Sequence, residues 1–184
     1  MRWLQLLLVL LLVPLAACSL NGKMSSYPVE ASGPYTLDGG DVIAVAVYGD
    51  DSLSKTYKVD DTGTVSLPLV GPVPVRGLTV NQAAGAIAAA LANGFMRNPN
   101  VAVQIDTYRP FYIQGAVKNG GQFAYVPGMT IRAAISTAGG YSDTANRSRA
   151  TIYRRQGAQM IKSNVGLDFP IYPGDTIVIA ERWL

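Results

Sequence analysis

The chain has 184 residues, 49% of them apolar, with fifteen Lys and Arg against twelve Asp and Glu, a single cysteine and no histidine. Without histidine, Ser–His and Cys–His catalysis are excluded, and one cysteine excludes an intrachain disulfide. The near balance of charge points to no polyanion in particular, and the length admits one domain or two small ones.

The first seventeen residues run from Arg2 through an almost unbroken apolar stretch, Leu4 to Leu15, to Ala16 and Ala17. This is the form of a signal peptide, since the apolar stretch is shorter than the roughly 20 residues a spanning helix needs. Leu15-Ala16-Ala17-Cys18 is similar to a lipobox, so Cys18 is expected to carry diacylglycerol and an acyl chain as the N-terminus of a mature chain. The competing reading is a chance cysteine in an ordinary signal or in an uncleaved membrane anchor. Ser19 after the cysteine, in place of aspartate, suits sorting to an outer membrane. Removing Arg2 leaves fourteen basic and twelve acidic residues in the mature body, and the longest later apolar run, Ala83 to Ala92, is about half a membrane span.

Residues 18–34 are rich in Ser, Gly, Asn and Pro and read as a lipidated N-terminus followed by a flexible tether. From Val42 to Tyr48 a β-branched run suits a strand. Lys55 to Val59 and Thr64 to Leu67 flank the turn Asp60-Asp61-Thr62-Gly63, a hairpin signal. Pro68, Pro72 and Pro74 keep the next segment out of a central strand. Thr79 with Gln82 forms a capping box for a helix whose apolar face is Val80, Ala84, Ile87 and Leu91, ending at Gly94.

Val101, Val103 and Ile105 alternate as in a half-buried strand, as do Phe111 and Ile113. Gly120-Gly121 and Pro127-Gly128 bracket a strand over Gln122 to Val126, and a second helix opens at Thr130 and closes at Gly139-Gly140. Thr151 to Arg154 and Gln159 to Ser163 form a hairpin around Gly157, and Thr176 to Ala180 is the last strand.

A weak repeat runs through these elements. Gly77-Leu78-Thr79-Val80 before the first helix matches Gly128-Met129-Thr130-Ile131 before the second, and Gly40-Asp41 before a strand matches Gly174-Asp175 before another. The expected fold is therefore α+β, in two small domains of strands packed on one helix. Recurrence of turn and cap chemistry alone is the alternative.

Two motif runs carry a resemblance. Tyr35-x-Leu37-x-x-Gly40-Asp41, followed by Val42, Ile43, Val45, Gly63, Leu67-Pro68 and Gly71, resembles the opening of bacterial polysaccharide-export proteins of the Wza-like outer-membrane family. Phe111-Tyr112-Ile113-x-Gly115-x-Val117, then Gly121, Pro127-Gly128, Gly139-Gly140-Tyr141 and Pro173-Gly174-Asp175, resembles the soluble-ligand-binding β-grasp (SLBB) domain that follows in that family. The resemblance implies an export domain over 35–107 and a β-grasp domain over 108–184, with Tyr35, Leu37, Gly40, Asp41, Gly174 and Asp175 as assembly and domain motif residues. It also implies a homo-oligomeric ring facing the periplasm, working with an inner-membrane copolymerase, an outer-membrane pore protein and the polysaccharide, with no nucleic acid. Longer family members add an amphipathic helix that crosses the outer membrane; this sequence stops at Trp183-Leu184, so a short member, a ring or adaptor without its own barrel, is expected.

No catalytic residue, metal site or cofactor beyond the lipid stands out. A two-carboxylate glycosidase would draw on Asp41, Asp50, Asp51, Asp60, Asp61 and Asp175, but most sit at turn positions, where a short acceptor bonds nearby N–H groups. A further possibility is contact of Asp41 and Asp175 across subunits. Arg147, Arg149, Arg154 and Arg155 form a cluster suited to an acidic polymer or partner, or to a solvated strand edge. Tyr108, Tyr112, Tyr125 and Tyr141 suit either stacking on sugars or packing. The expected role is non-catalytic polysaccharide export; the second reading is a lipid-anchored periplasmic module that captures a soluble ligand through its β-grasp domain.

Overall fold

The structure, a computed structural model, describes residues 34–157 and 159–182. The signal peptide 1–17, Cys18, most of the tether and Trp183-Leu184 lie outside the described residues. The described chain is α+β, with two hydrophobic cores that share no residue.

In the first unit β1 (Val42–Val47) is the middle of an antiparallel sheet, flanked by β2 (Lys55–Lys58) and β5 (Val101–Thr107). Alternation on β1 sends Ile43, Val45 and Val47 into the core. β3 (Thr64–Leu67) and β4 (Gly71–Pro74) make a separate two-stranded ribbon. The turn at 60–63 forms as expected, with the Gly63 N–H donating to the Asp60 carbonyl, but the hairpin does not: β2 pairs with β1 and β3 with β4. Val65 and Leu67 alternate inward, and β4 supplies Val73 to the same core, while β2 and β3 each pair with their other neighbour in the chain. Pro72 and Pro74 fall in β4, where a two-stranded ribbon leaves one edge free of ladder bonds.

Helix α1 (Val80–Ala92) has the expected capping box: the Gln82 N–H donates to Thr79 Oγ1 at 3.3 Å, and the Thr79 N–H to Gln82 Oε1 at 2.9 Å. Its fully buried stripe is Ala83, Ile87 and Leu91; Val80 and Ala84 flank it half-buried, so the face is turned slightly from the expected one.

The second unit is a five-stranded sheet in the order β7–β6–β10–β8–β9, with β6 (Phe111–Gly115), β7 (Gly121–Phe123), β8 (Ala150–Gln156), β9 (Gln159–Val165) and β10 (Thr176–Ile179). The last strand, β10, lies parallel to β6 and antiparallel to β8. Helix α2 (Ile131–Thr137), capped by Thr130, packs Ile131, Ala134 and Ile135 on one sheet face with Phe111, Ile113, Ile152 and Ile177. A sheet with its final strand inserted beside the first and one helix across it is the β-grasp arrangement. The strand expected over 122–126 ends at Phe123: there the chain leaves the sheet edge, and Tyr125 turns toward the segment 107–110 that joins the units.

Candidate functional site: the cleft between the two units

Each Gly-Asp pair closes the same local structure. In Asp38-Gly39-Gly40-Asp41 the Asp41 N–H donates to the Asp38 carbonyl and the Asp38 N–H returns to Asp41 Oδ2 at 2.9 Å. In Tyr172-Pro173-Gly174-Asp175 the Asp175 N–H donates to the Tyr172 carbonyl and the Tyr172 N–H returns to Asp175 Oδ2 at 2.6 Å. The third position of both turns is left-handed, φ 97° at Gly40 and 85° at Gly174, which only glycine adopts without strain. The repeat noted in the sequence is thus a repeated turn that folds a carboxylate back under the backbone.

Both carboxylates are buried, at 0% and 1% exposure, and each holds an arginine. Asp41 accepts from Arg109 Nη1 at 3.0 Å, from the Arg109 N–H at 2.9 Å and from the Tyr35 hydroxyl at 2.7 Å. Asp175 takes a two-pronged fork from Arg154, Nε at 2.9 Å and Nη2 at 2.7 Å. Burial and the adjoining Asp41 carboxylate raise the Tyr35 phenol well above its ordinary range. Burial also pushes the Asp175 carboxyl up, against the pull of Arg154.

Arg109 sits between the two turns: its Cβ would lie 3.3 Å from a methyl on Gly40, and its Nε 3.0 Å from one on Gly174. Beside it the rings of Tyr35 and Tyr108 meet edge to face at 5.0 Å, and those of Tyr108 and Tyr125 at 5.4 Å. A ladder of three tyrosines therefore runs from the first unit through the connecting segment to the second. These groups border a cleft of about 970 Å³, whose rim includes Lys58, Asp60, Arg76, Tyr112, Arg155 and Met160.

Of the residues singled out in the sequence, Tyr35, Gly40, Asp41, Gly174 and Asp175 converge here, while Leu37 is core of the first unit. Asp41 and Asp175 are spent on bonds within the chain, so any part they play in subunit contacts runs through Tyr35, Arg109 and Arg154. The arginine cluster is divided. Arg154 is held at Asp175, with its guanidinium 4.2 Å from the Tyr172 ring centre; Arg155 faces the cleft; Arg147 lies over the Tyr141 ring at 5.5 Å; and Arg149 is exposed ahead of β8. Tyr141 is away from the ladder, its hydroxyl buried without a hydrogen-bond partner.

Asp50 and Asp60 are bonded to the hydroxyls and N–H groups of their own turns; the Ser52 hydroxyl lowers Asp50, and the Thr62 hydroxyl holds Asp60 well below the usual carboxylate range. Among the described residues no three His, Cys, Asp or Glu side chains are grouped to hold a metal. Sequence reasoning missed Arg109. Its only local mark is a cation between Tyr108 and Pro110, and its partner lies 68 positions away.

The domain model described as polysaccharide biosynthesis/export protein matches residues 29–106, and that of the SLBB domain matches residues 110–162. The chain belongs to the polysaccharide-export family. Tyr108 and Arg109 fall in the three residues between the two matches, where the units are joined. The exopolysaccharide production protein ExoF of Rhizobium meliloti (strain 1021) is 33% identical over 130 residues, which are 70% of this chain and 30% of ExoF. Two Escherichia coli forms of the polysialic acid transport protein KpsD are each 29% identical over 160 residues, 80% of this chain and 28% of theirs. The chain spans less than a third of the length of these curated relatives.

Proposed function

We propose that the chain is a lipid-anchored, periplasm-facing component of the outer membrane that serves polysaccharide export without catalysis. In this reading Cys18 carries the acyl chains, residues 35–107 and 108–184 are the two domains, and copies assemble into a ring. The ring passes polymer between an inner-membrane copolymerase and an outer-membrane pore protein. The observation that carries the reading is that an export match and an SLBB match succeed one another over two units that meet at the buried Asp41–Arg109 pair. Asp38, Asp41, Asp60 and Asp175, in or beside the cleft, are bonded to arginines or to groups of their own turns, which favours a scaffold over a hydrolase.

The reading is tested in a strain lacking the gene. Surface polysaccharide is lost and returns with the wild-type gene; Cys18→Ser releases a folded body into the soluble periplasmic fraction and fails to restore export. In detergent the wild-type chain sediments as one discrete oligomer. Undiminished polysaccharide in the deletion strain, or a strict monomer, overturns the corresponding part.

A further inference from the structure

The five-stranded sheet is covered by helix α2 on one face only. Register fixes what stands on the other. Tyr112 on β6 is paired with Thr176 on β10, Thr176 with Tyr153 on β8, and Tyr153 with Lys162 on β9, so these four side chains form one row across four strands. Because side chains alternate, Arg155 and its partner Met160 project from the same face one step along. Their inward neighbours Ile152 and Ile177 are core residues, which fixes the sense of the alternation.

The composition of this outer face is one-sided. Tyr112 is 44% exposed and Met160 60%, and both border the cleft together with Arg155. The Lys162 ammonium lies 5.7 Å from the centre of the Tyr153 ring. Two cations stand on the face, and no outward residue of the five strands is a carboxylate. Across the cleft, Lys58 and Arg76 stand beside Asp38, Asp60 and Asp61, so the one-sided charge belongs to the sheet face itself. Exposed Tyr112 and Met160 and the half-buried Tyr153 share this one face, and it is a contiguous apolar patch, not a lone exposed ring, that marks an interaction surface. Tyr112 and Tyr153 are two strand spacings apart, about 10 Å, a separation that suits two linked pyranose rings, whose flat C–H faces pack on phenol rings while carboxylates meet Arg155 and Lys162.

We propose that this sheet face, continuous with the cleft, is a docking platform for an extended segment of acidic polysaccharide. The proposal rests on the export reading and names, within it, the charge class of the polymer and the residues that touch it.

The full chain in detergent is titrated with decasaccharides of hyaluronate, alginate and polysialic acid, with neutral dextran and with poly-glutamate of equal length. At least one acidic saccharide binds about tenfold more tightly than dextran and than poly-glutamate. Tyr112→Ser and Arg155→Ala each weaken that binding about tenfold, while Arg132→Ala, on an exposed helical residue away from this face, leaves it unchanged. No binding of any acidic saccharide at millimolar concentration overturns the proposal, as does equal binding of poly-glutamate, which would mean charge alone. A change of oligomer size in Tyr112→Ser or Arg155→Ala with saccharide binding intact overturns it in favour of a contact between copies. The two readings fail separately: export that survives gene deletion removes the export reading while saccharide binding stands, and loss of export with no saccharide binding removes only the platform.

Discussion

Asp41 and Asp175 are two of the three buried polar residues among those described, the third being Ser163. A buried carboxylate is tolerable only while its partners are in place, and removing one partner leaves the desolvation cost uncompensated. Arg109→Met keeps most of the side-chain bulk but withdraws the charge from Asp41, whose remaining donors are Tyr35 and two backbone N–H groups. The expected cost is about 2 kcal/mol, read from the urea unfolding midpoint. Arg132 pairs with Asp168 in the open, at 61% and 85% side-chain exposure, so Arg132→Ala should shift stability by less than about 0.5 kcal/mol. Tyr35 adds a pH signature. Its phenol stays protonated in the folded chain above the ordinary value of about 10, whereas in the unfolded chain it ionises there. The stability this group contributes is thus complete below pH 10 and is lost as pH rises beyond it. Tyr35→Phe should lack that component, giving a shallower fall in the urea midpoint between about pH 9 and 11.

At the scale of elements, much of the fold was legible because its signals are local. Thr79 with Gln82 and Thr130 announce helix starts through bonds made within three residues, and alternation over Phe111 to Ile113 and Val101 to Ile105 gives strands. What was not legible is pairing. The turn at 60–63 looks like a hairpin turn, yet each strand it joins pairs with its other neighbour in the chain, a choice the local turn signal does not encode. The same limit hid the site: Gly-Asp can be read twice in the chain, but that each aspartate holds an arginine 68 or 21 positions away cannot. Insertion of β10 beside β6 also makes one glycine critical. A methyl on Gly115 would lie 2.2 Å from the Ile179 carbonyl oxygen, with φ already at 90°. Gly115→Ala should cost more than about 3 kcal/mol, whereas Gly85→Ala, in α1 with open space around it, should gain about 0.5 to 1 kcal/mol. Thermal unfolding of the two variants side by side checks both signs.

At the scale of the molecule the question is whether the two cores behave as one body. Among the described residues they share none, and the Tyr35–Tyr108–Tyr125 ladder and Arg109, bonded to Asp41 and lying against Gly174, reach from one to the other. Units joined by small contacts ordinarily move independently unless the interface is tight. Edge-to-face ring pairs contribute about 0.5 to 1.5 kcal/mol each beyond burial, so the two pairs centred on Tyr108 amount to a coupling of about 1 to 3 kcal/mol. A coupling of that size is enough to make marginal domains unfold together and too small to survive loss of its central ring. Tyr108→Ser removes both ring contacts without touching either core. Calorimetry should then resolve two transitions where the wild-type chain shows one, and proteolysis should become faster between 107 and 110. A single unchanged transition in Tyr108→Ser would place the coupling on Arg109 instead, and Arg109→Met would be the variant that splits it. In the ring proposed above, the same joint would set the angle at which one unit presents its sheet face to the cleft, so on that proposal the variant that uncouples the units should also weaken export while leaving each core folded.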